Sequence, residues 1–103
     1  MKRGEIRWYK FKPPDKNRPV LILTWTSVID YLGQVTVAPI TSTVRGIPSE
    51  VSLARQDGMS RDCAINLDHV QTVSKGKIGR LVTELTPGKL IEVQRAISFA
   101  LDL

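Results

Sequence analysis

The sequence is poor in the residues that many catalytic and structural chemistries need. It has one cysteine, one histidine, and two each of tryptophan, tyrosine and phenylalanine in 103 residues. A lone thiol, Cys63, cannot form an internal disulfide; this fits a reducing cytoplasm, and the residue reads most simply as a small core side chain. One His, one Cys and scattered carboxylates give no metal-ligand spacing, so neither a metal nor a cofactor is expected. No glycine cluster precedes a helix, which removes the phosphate loop of nucleotide-binding folds. A Ser-His-Asp triad would have to use His69, and no serine is marked as its partner. Beside Asp68 in an expected strand, His69 reads as structural. No apolar run approaches the ~20 residues of a membrane span. The opening MKRGEIRWYK has no apolar segment after its basic residues, so no signal peptide is expected.

Positive charge is what the chain has in excess. Fifteen Lys and Arg stand against ten Asp and Glu, a formal +5, with a pI near 9.7. The excess is concentrated early: Lys2, Arg3, Arg7, Lys10, Lys12, Lys16 and Arg18 are opposed there only by Glu5 and Asp15. Such a surface attracts polyanions by counterion release, and an acidic protein would serve as well as a nucleic acid. Hydrophobic residues make up 42% of the chain, as in ordinary globular proteins, and the length suits a single domain over 1–103. A core this modest makes oligomerisation a natural way to bury more surface.

Periodicity predicts a mainly β protein. GEIRWYKF sets Ile6 and Trp8 on one parity with Arg7 and Tyr9 on the other, as in a half-exposed strand. KPPDKN is a turn, and RPVLILTW is a nearly continuous apolar strand buried on both faces. TSVIDYLG is expected as a loop, GQVTVAPIT as a third strand ending near Thr41, and SEVSLA as a fourth. CAINLDHVQTV makes one or two short strands, and SKGKIGRL turns into a last short one. The final segment changes period: Thr86 caps a helix, Pro87 takes its first position, and Leu90, Val93, Ile97 and Leu101, with Ala96 and Ala100, form an apolar face. Short strands plus one terminal helix predict a small, strongly curved antiparallel sheet or barrel.

Three features remain for chemistry: Arg18 at the mouth of an apolar strand, the hydroxyls around Thr41, and the Asp68 carboxylate. Metal-free RNA cleavage needs a base for the 2′-hydroxyl, cations or donors for the charge building on phosphate, and an acid for the leaving oxygen. A guanidinium pairs bidentately with phosphate oxygens, and a threonine at a strand end can donate to the same group. Trp8 and Trp25 could stack on bases, although aromatics beside apolar strands are usually core. The residues alone describe a basic, β-rich binder of nucleic acid or protein.

The order KRGEIRWYKF, RPVLIL, VTVAPITS, SEVSL, DCAINLDHVQTV and IGRLVTELTPGKLIEVQRAISFALDL resembles the MazF/PemK family of toxin endoribonucleases from bacterial type II toxin–antitoxin pairs. The resemblance runs along nearly the whole chain. It implies a small SH3-like antiparallel β-barrel with a C-terminal helix, the CcdB/PemK-like toxin fold. It also implies a cytoplasmic homodimer and an acidic antitoxin that blocks the RNA groove. The implied reaction is metal-independent cleavage of single-stranded RNA, leaving a 2′,3′-cyclic phosphate and a 5′-hydroxyl. Carried over by position, Arg18 and Thr41 are the principal catalytic residues. Asp68 matches an acidic position assigned to base work in some members, but the arginine that accompanies it there is Asn66 here. Asp15, Lys16, Trp25, Thr26 and Ser42 would contact RNA. The loop before Arg18 departs from the family pattern, being short and proline-stiffened where many members have a longer one. Two rivals share the fold expectation: a CcdB-like toxin that inhibits DNA gyrase by protein binding, and a basic module that binds nucleic acid without cutting it.

Overall fold

The computed structural model of the chain describes residues 1–12 and 17–103. In order, its elements are β1 (Glu5–Lys10), β2 (Asn17–Ile22), a one-turn helix α1 (Thr26–Ile29), β3 (Gln34–Thr41) and β4 (Glu50–Leu53). They continue with β5 (Cys63–Asn66), β6 (Gln71–Ser74), β7 (Ile78–Glu84) and α2 (Pro87–Leu101). The strands pair antiparallel in the order β4-β5-β3-β2-β1-β7, with β6 also on β3.

The aliphatic run of β2 anchors the fold. Val20 and Ile22 enter one cluster with Ile29, Val35, Val37 and Val73, while Leu21 enters another with Ile6, Ala38, Ile65 and Val93. Successive side chains of a strand point to opposite faces, so an unbroken apolar run requires core on both sides. Each such side chain contributes ~1.5–3 kcal/mol on burial. The strand carrying Arg18 is therefore fixed firmly at its inner end.

Along its outer edge β3 changes partner. Gln34–Val37 pair with β6, and Ile40–Thr41 pair with β5. Pro39, which has no N–H to give, lies between the two ladders. The segment CAINLDHVQTV is therefore two strands, separated by a 3-10 turn at Leu67–His69. His69, expected in a strand, sits in that turn. Asn66 explains it: its side-chain oxygen accepts from Asp68 N at 3.0 Å, a local bond that competes with the ladder.

Three further expectations change in detail. TSVIDYLG contains α1, a single turn with Ile29 buried beneath it, too short to show a helical period. The last strand, β7, is seven residues long and irregularly registered on β1. At Gly79 a Cβ would lie 3.2 Å from the carbonyl oxygen of Trp8, so the close approach there favours glycine. The sheet, finally, does not close into a barrel: among the described residues no ladder joins its end strands β4 and β7. Helix α2 covers that side of the core instead. Thr86 Oγ1 accepts from Lys89 N, Pro87 opens the helix, and Val93 and Ala96 are buried. Lys89 Nζ reaches Ser52 O on β4 at 2.9 Å and ties the helix to the sheet edge. Leu101 is exposed and Ala100 packs in its place, because i+7 stays within 20° of Val93 around the helix whereas i+8 drifts some 80°.

Candidate active site

A groove of about 550 Å³ opens where the β2–β3 ladder ends. Asn17, Arg18 and Pro19 line it from β2, Trp8 from β1, Ile40 to Thr43 from the end of β3, and Met59, Ser60, Arg61 and Cys63 from the approach to β5. The register explains the meeting of Arg18 and Thr41. Ile22, Leu21 and Val20 face Val37, Ala38 and Pro39 in turn. Continued two residues further, the same register sets Arg18 opposite Thr41. The ladder stops short of that point, beside Pro19 and Pro39, and the space left between the strands is the groove.

The Thr41 hydroxyl is oriented locally. Its oxygen accepts from Thr43 N at 3.1 Å, which leaves its hydrogen free to donate to a ligand. Arg18 is exposed and, among the described residues, makes no ion pair. Arg61, also exposed, brings a second guanidinium to the groove. No carboxylate or imidazole occurs in its described lining, so the groove presents two cations and a row of hydroxyls. That is a lining for an anion with several oxygens, such as phosphate. Cys63 lies buried in the wall. Burial pushes its thiol pKa up, and Asp62 and Asp57 add to the shift against the opposing pull of Arg61, so the thiol stays protonated and unreactive at neutral pH. Among the described residues no cluster of three or more His, Cys, Asp or Glu could hold a metal ion.

A family model described as "PemK-like, MazF-like toxin of type II toxin-antitoxin system" matches residues 2–101. The chain belongs to the PemK/MazF toxin family. It is 39% identical over 93 residues to a protein of Mycobacterium tuberculosis named probable endoribonuclease MazF2, covering 89% of each chain. Endoribonuclease MazF3 of the same organism is 40% identical over 89 residues, 86% of each. Among solved structures, the M. tuberculosis toxin MazF-mt6 superposes with a TM-score of 0.89 at 37% identity, over 96% of this chain and 97% of that one. An endoribonuclease in complex with its cognate antitoxin, from a mycobacterial species, gives 0.88 at 24% identity over 100% and 96%, and supports the fold alone.

Placed on this PemK/MazF scaffold, Arg18, Thr41 and Ser42 share the groove, while Asp68, Trp25 and Thr26 are not in its lining. Asp68 sits on the 3-10 turn, where its Oδ2 accepts from the hydroxyl of the buried Ser49. Trp25 stands exposed at the start of α1 with the Arg3 guanidinium 4.4 Å from its ring centre. Thr26 Oγ1 accepts from Arg3 N at 3.0 Å. Asp15 and Lys16 lie outside the described residues. Sequence reasoning passed over Arg61 and Ser60, which read as a polar turn in RQDGMSRD. Trp8, open in the sequence between base stacking and the core, is half-buried and forms part of the groove wall. Only the strand register and the fold of the loop bring these three to Arg18.

Proposed function

We propose that this protein is the toxin of a type II toxin–antitoxin pair, a metal-independent endoribonuclease that cuts single-stranded RNA in the groove between Arg18 and Arg61. The observation that carries the reading is the β2–β3 register, which directs Arg18 and Thr41 to one groove. The RNA 2′-hydroxyl attacks the adjacent phosphorus and the 5′-oxygen leaves, giving a 2′,3′-cyclic phosphate and a 5′-hydroxyl end. Arg18 pairs with the non-bridging oxygens as charge builds on them, and the Thr41 hydroxyl donates to the same group. Arg61 binds the phosphate next along the strand, and Trp8 offers a face for a base. Asp68 is absent from the groove lining, so Asp15, in the loop before Arg18, is the carboxylate we assign to take the 2′-hydroxyl proton and return one to the departing 5′-oxygen.

The named endoribonucleases among the relatives favour this reading over gyrase inhibition. It places the protein in the cytoplasm with RNA, as a single-domain toxin acting as a homodimer. Its basic surface suits an acidic antitoxin segment that competes with RNA. The test uses purified protein in EDTA with RNA oligonucleotides and their 2′-deoxy counterparts. Cleavage should persist in EDTA and vanish when the scissile nucleotide is 2′-deoxy. Cleavage that survives the 2′-deoxy substitution would sink the mechanism.

A further inference from the structure

The groove wall beyond Thr41 is held by an acidic residue that the groove does not contain. Residues 43–46 belong to no strand. Among the described residues, the hydrogen bonds that fix their backbone run to side-chain acceptors. Thr43 N donates to Thr41 Oγ1 at 3.1 Å, and Arg45 N and Gly46 N both donate to Glu50 Oε1 at 2.9 and 3.1 Å. Gly46 has φ +69, a left-handed backbone that brings successive N–H groups round to a single oxygen. The turn is completed by Glu50 N, which donates to Ile47 O at 3.0 Å.

The Glu50 side chain is only 2% exposed. Its nearest cation, Arg45 Nη1, is 3.8 Å from Oε2 on a side chain that is 55% exposed, too long for a hydrogen bond. Oε2 has no hydrogen-bond partner among the described residues. Burying a carboxylate is costly unless its bonds return that cost. Here they go almost wholly to the backbone of this loop. We infer that Glu50 is a positioning residue for RNA binding: its carboxylate pins Arg45 and Gly46, and so keeps Ser42 and Thr43 on the groove wall and Thr43 N on the Thr41 hydroxyl. The inference rests on the nuclease reading, because the wall matters only if RNA lies along it.

The test compares wild type, Glu50→Ala, Glu50→Gln and Gly46→Ala by amide hydrogen exchange and by steady-state cleavage of one RNA oligonucleotide. Gln keeps an oxygen for both N–H groups and should stay close to wild type. Glu50→Ala should expose the Arg45 and Gly46 amides, and also the Thr43 amide, which the carboxylate does not touch. It should raise KM about 10-fold, as expected when ground-state binding contacts are lost, with a smaller fall in kcat from the loosened Thr41 hydroxyl. Gly46→Ala, whose Cβ would meet no atom within 4 Å, strains the turn without a clash. It should shift the same amides and KM even if Glu50→Ala fails to fold. If these variants keep wild-type KM and Thr43 protection, the positioning role is wrong while the nuclease reading stands. A wild type that exchanges as expected but cleaves no RNA removes the nuclease reading, and the binding role with it.

Discussion

At the scale of single residues, the proposed reaction needs groove groups that act on phosphate and others that hold them in place. In it, Thr41 acts through one O–H. Thr41→Val, which keeps the shape and removes the donor, should lower kcat by roughly 10²-fold, while Thr41→Ser should keep most of the rate. Single-turnover cleavage at saturating enzyme measures both. Asp68, which the family resemblance offers as base, and Asp15, to which the proposed reaction assigns that work, should separate. Asp68→Asn should leave cleavage within about threefold of wild type, its effect being the loss of a charge-assisted bond of about 1 kcal/mol seen in urea titration. Asp15→Asn should slow the chemical step by roughly 10²-fold. Equal losses in the two variants would return Asp68 to the reaction.

At the scale of elements, α2 shows what periodicity specifies and where it drifts. Val93 is 1% exposed and Leu101 is 54% exposed. Val93→Ala should therefore cost about 2 kcal/mol by transfer and cavity terms. Leu101→Ala should cost under about 0.5 kcal/mol, and thermal unfolding distinguishes the two. Much of the architecture was legible because burial leaves a pattern: two buried faces give β2 an unbroken aliphatic run, and one buried face gives α2 its apolar stripe after Thr86 and Pro87. The proposed pairing of Arg18 with Thr41 was legible only by resemblance, since no local pattern says that the two residues line one groove. That fact lives in the β2–β3 register. Arg61 was missed for the same reason, and Trp8 could not be decided between base stacking and core. That Asp68 lies outside the groove lining and bonds to Ser49 was likewise hidden, because the bond joins two segments that the sequence does not show to be neighbours. Pro39 and the Asn66 turn divide the outer edge of β3 between β6 and β5, a division that no local pattern in the sequence announces.

At the scale of the whole molecule, a chain of formal charge +5 should bind RNA in a salt-dependent way and draw part of its acid stability from the buried Glu5. Burial raises its pKa, but bonds from Arg7 and from Lys2 N, with the nearby positive charges, outweigh burial and hold it below the ordinary 4.5. A depressed folded-state pKa adds stability that is present above the unfolded value and lost as pH falls through the folded one. Stability should therefore decline below about pH 4.5, and Glu5→Gln should flatten that decline while being less stable at pH 7. Denaturant midpoints measured from pH 3 to 7 give the comparison.

The central claim is that Arg18 on β2 drives metal-free RNA cleavage in this groove. It is tested most directly by mapping 5′-hydroxyl RNA ends produced by the wild type and by Arg18→Ala, each shown to be folded by circular dichroism. The account predicts discrete 5′-hydroxyl ends for the wild type and a loss of roughly 10³-fold or more in the variant, since a planar guanidinium on the developing phosphate charge has no substitute there. A folded Arg18→Ala protein that yields the same ends at the same rate would contradict it.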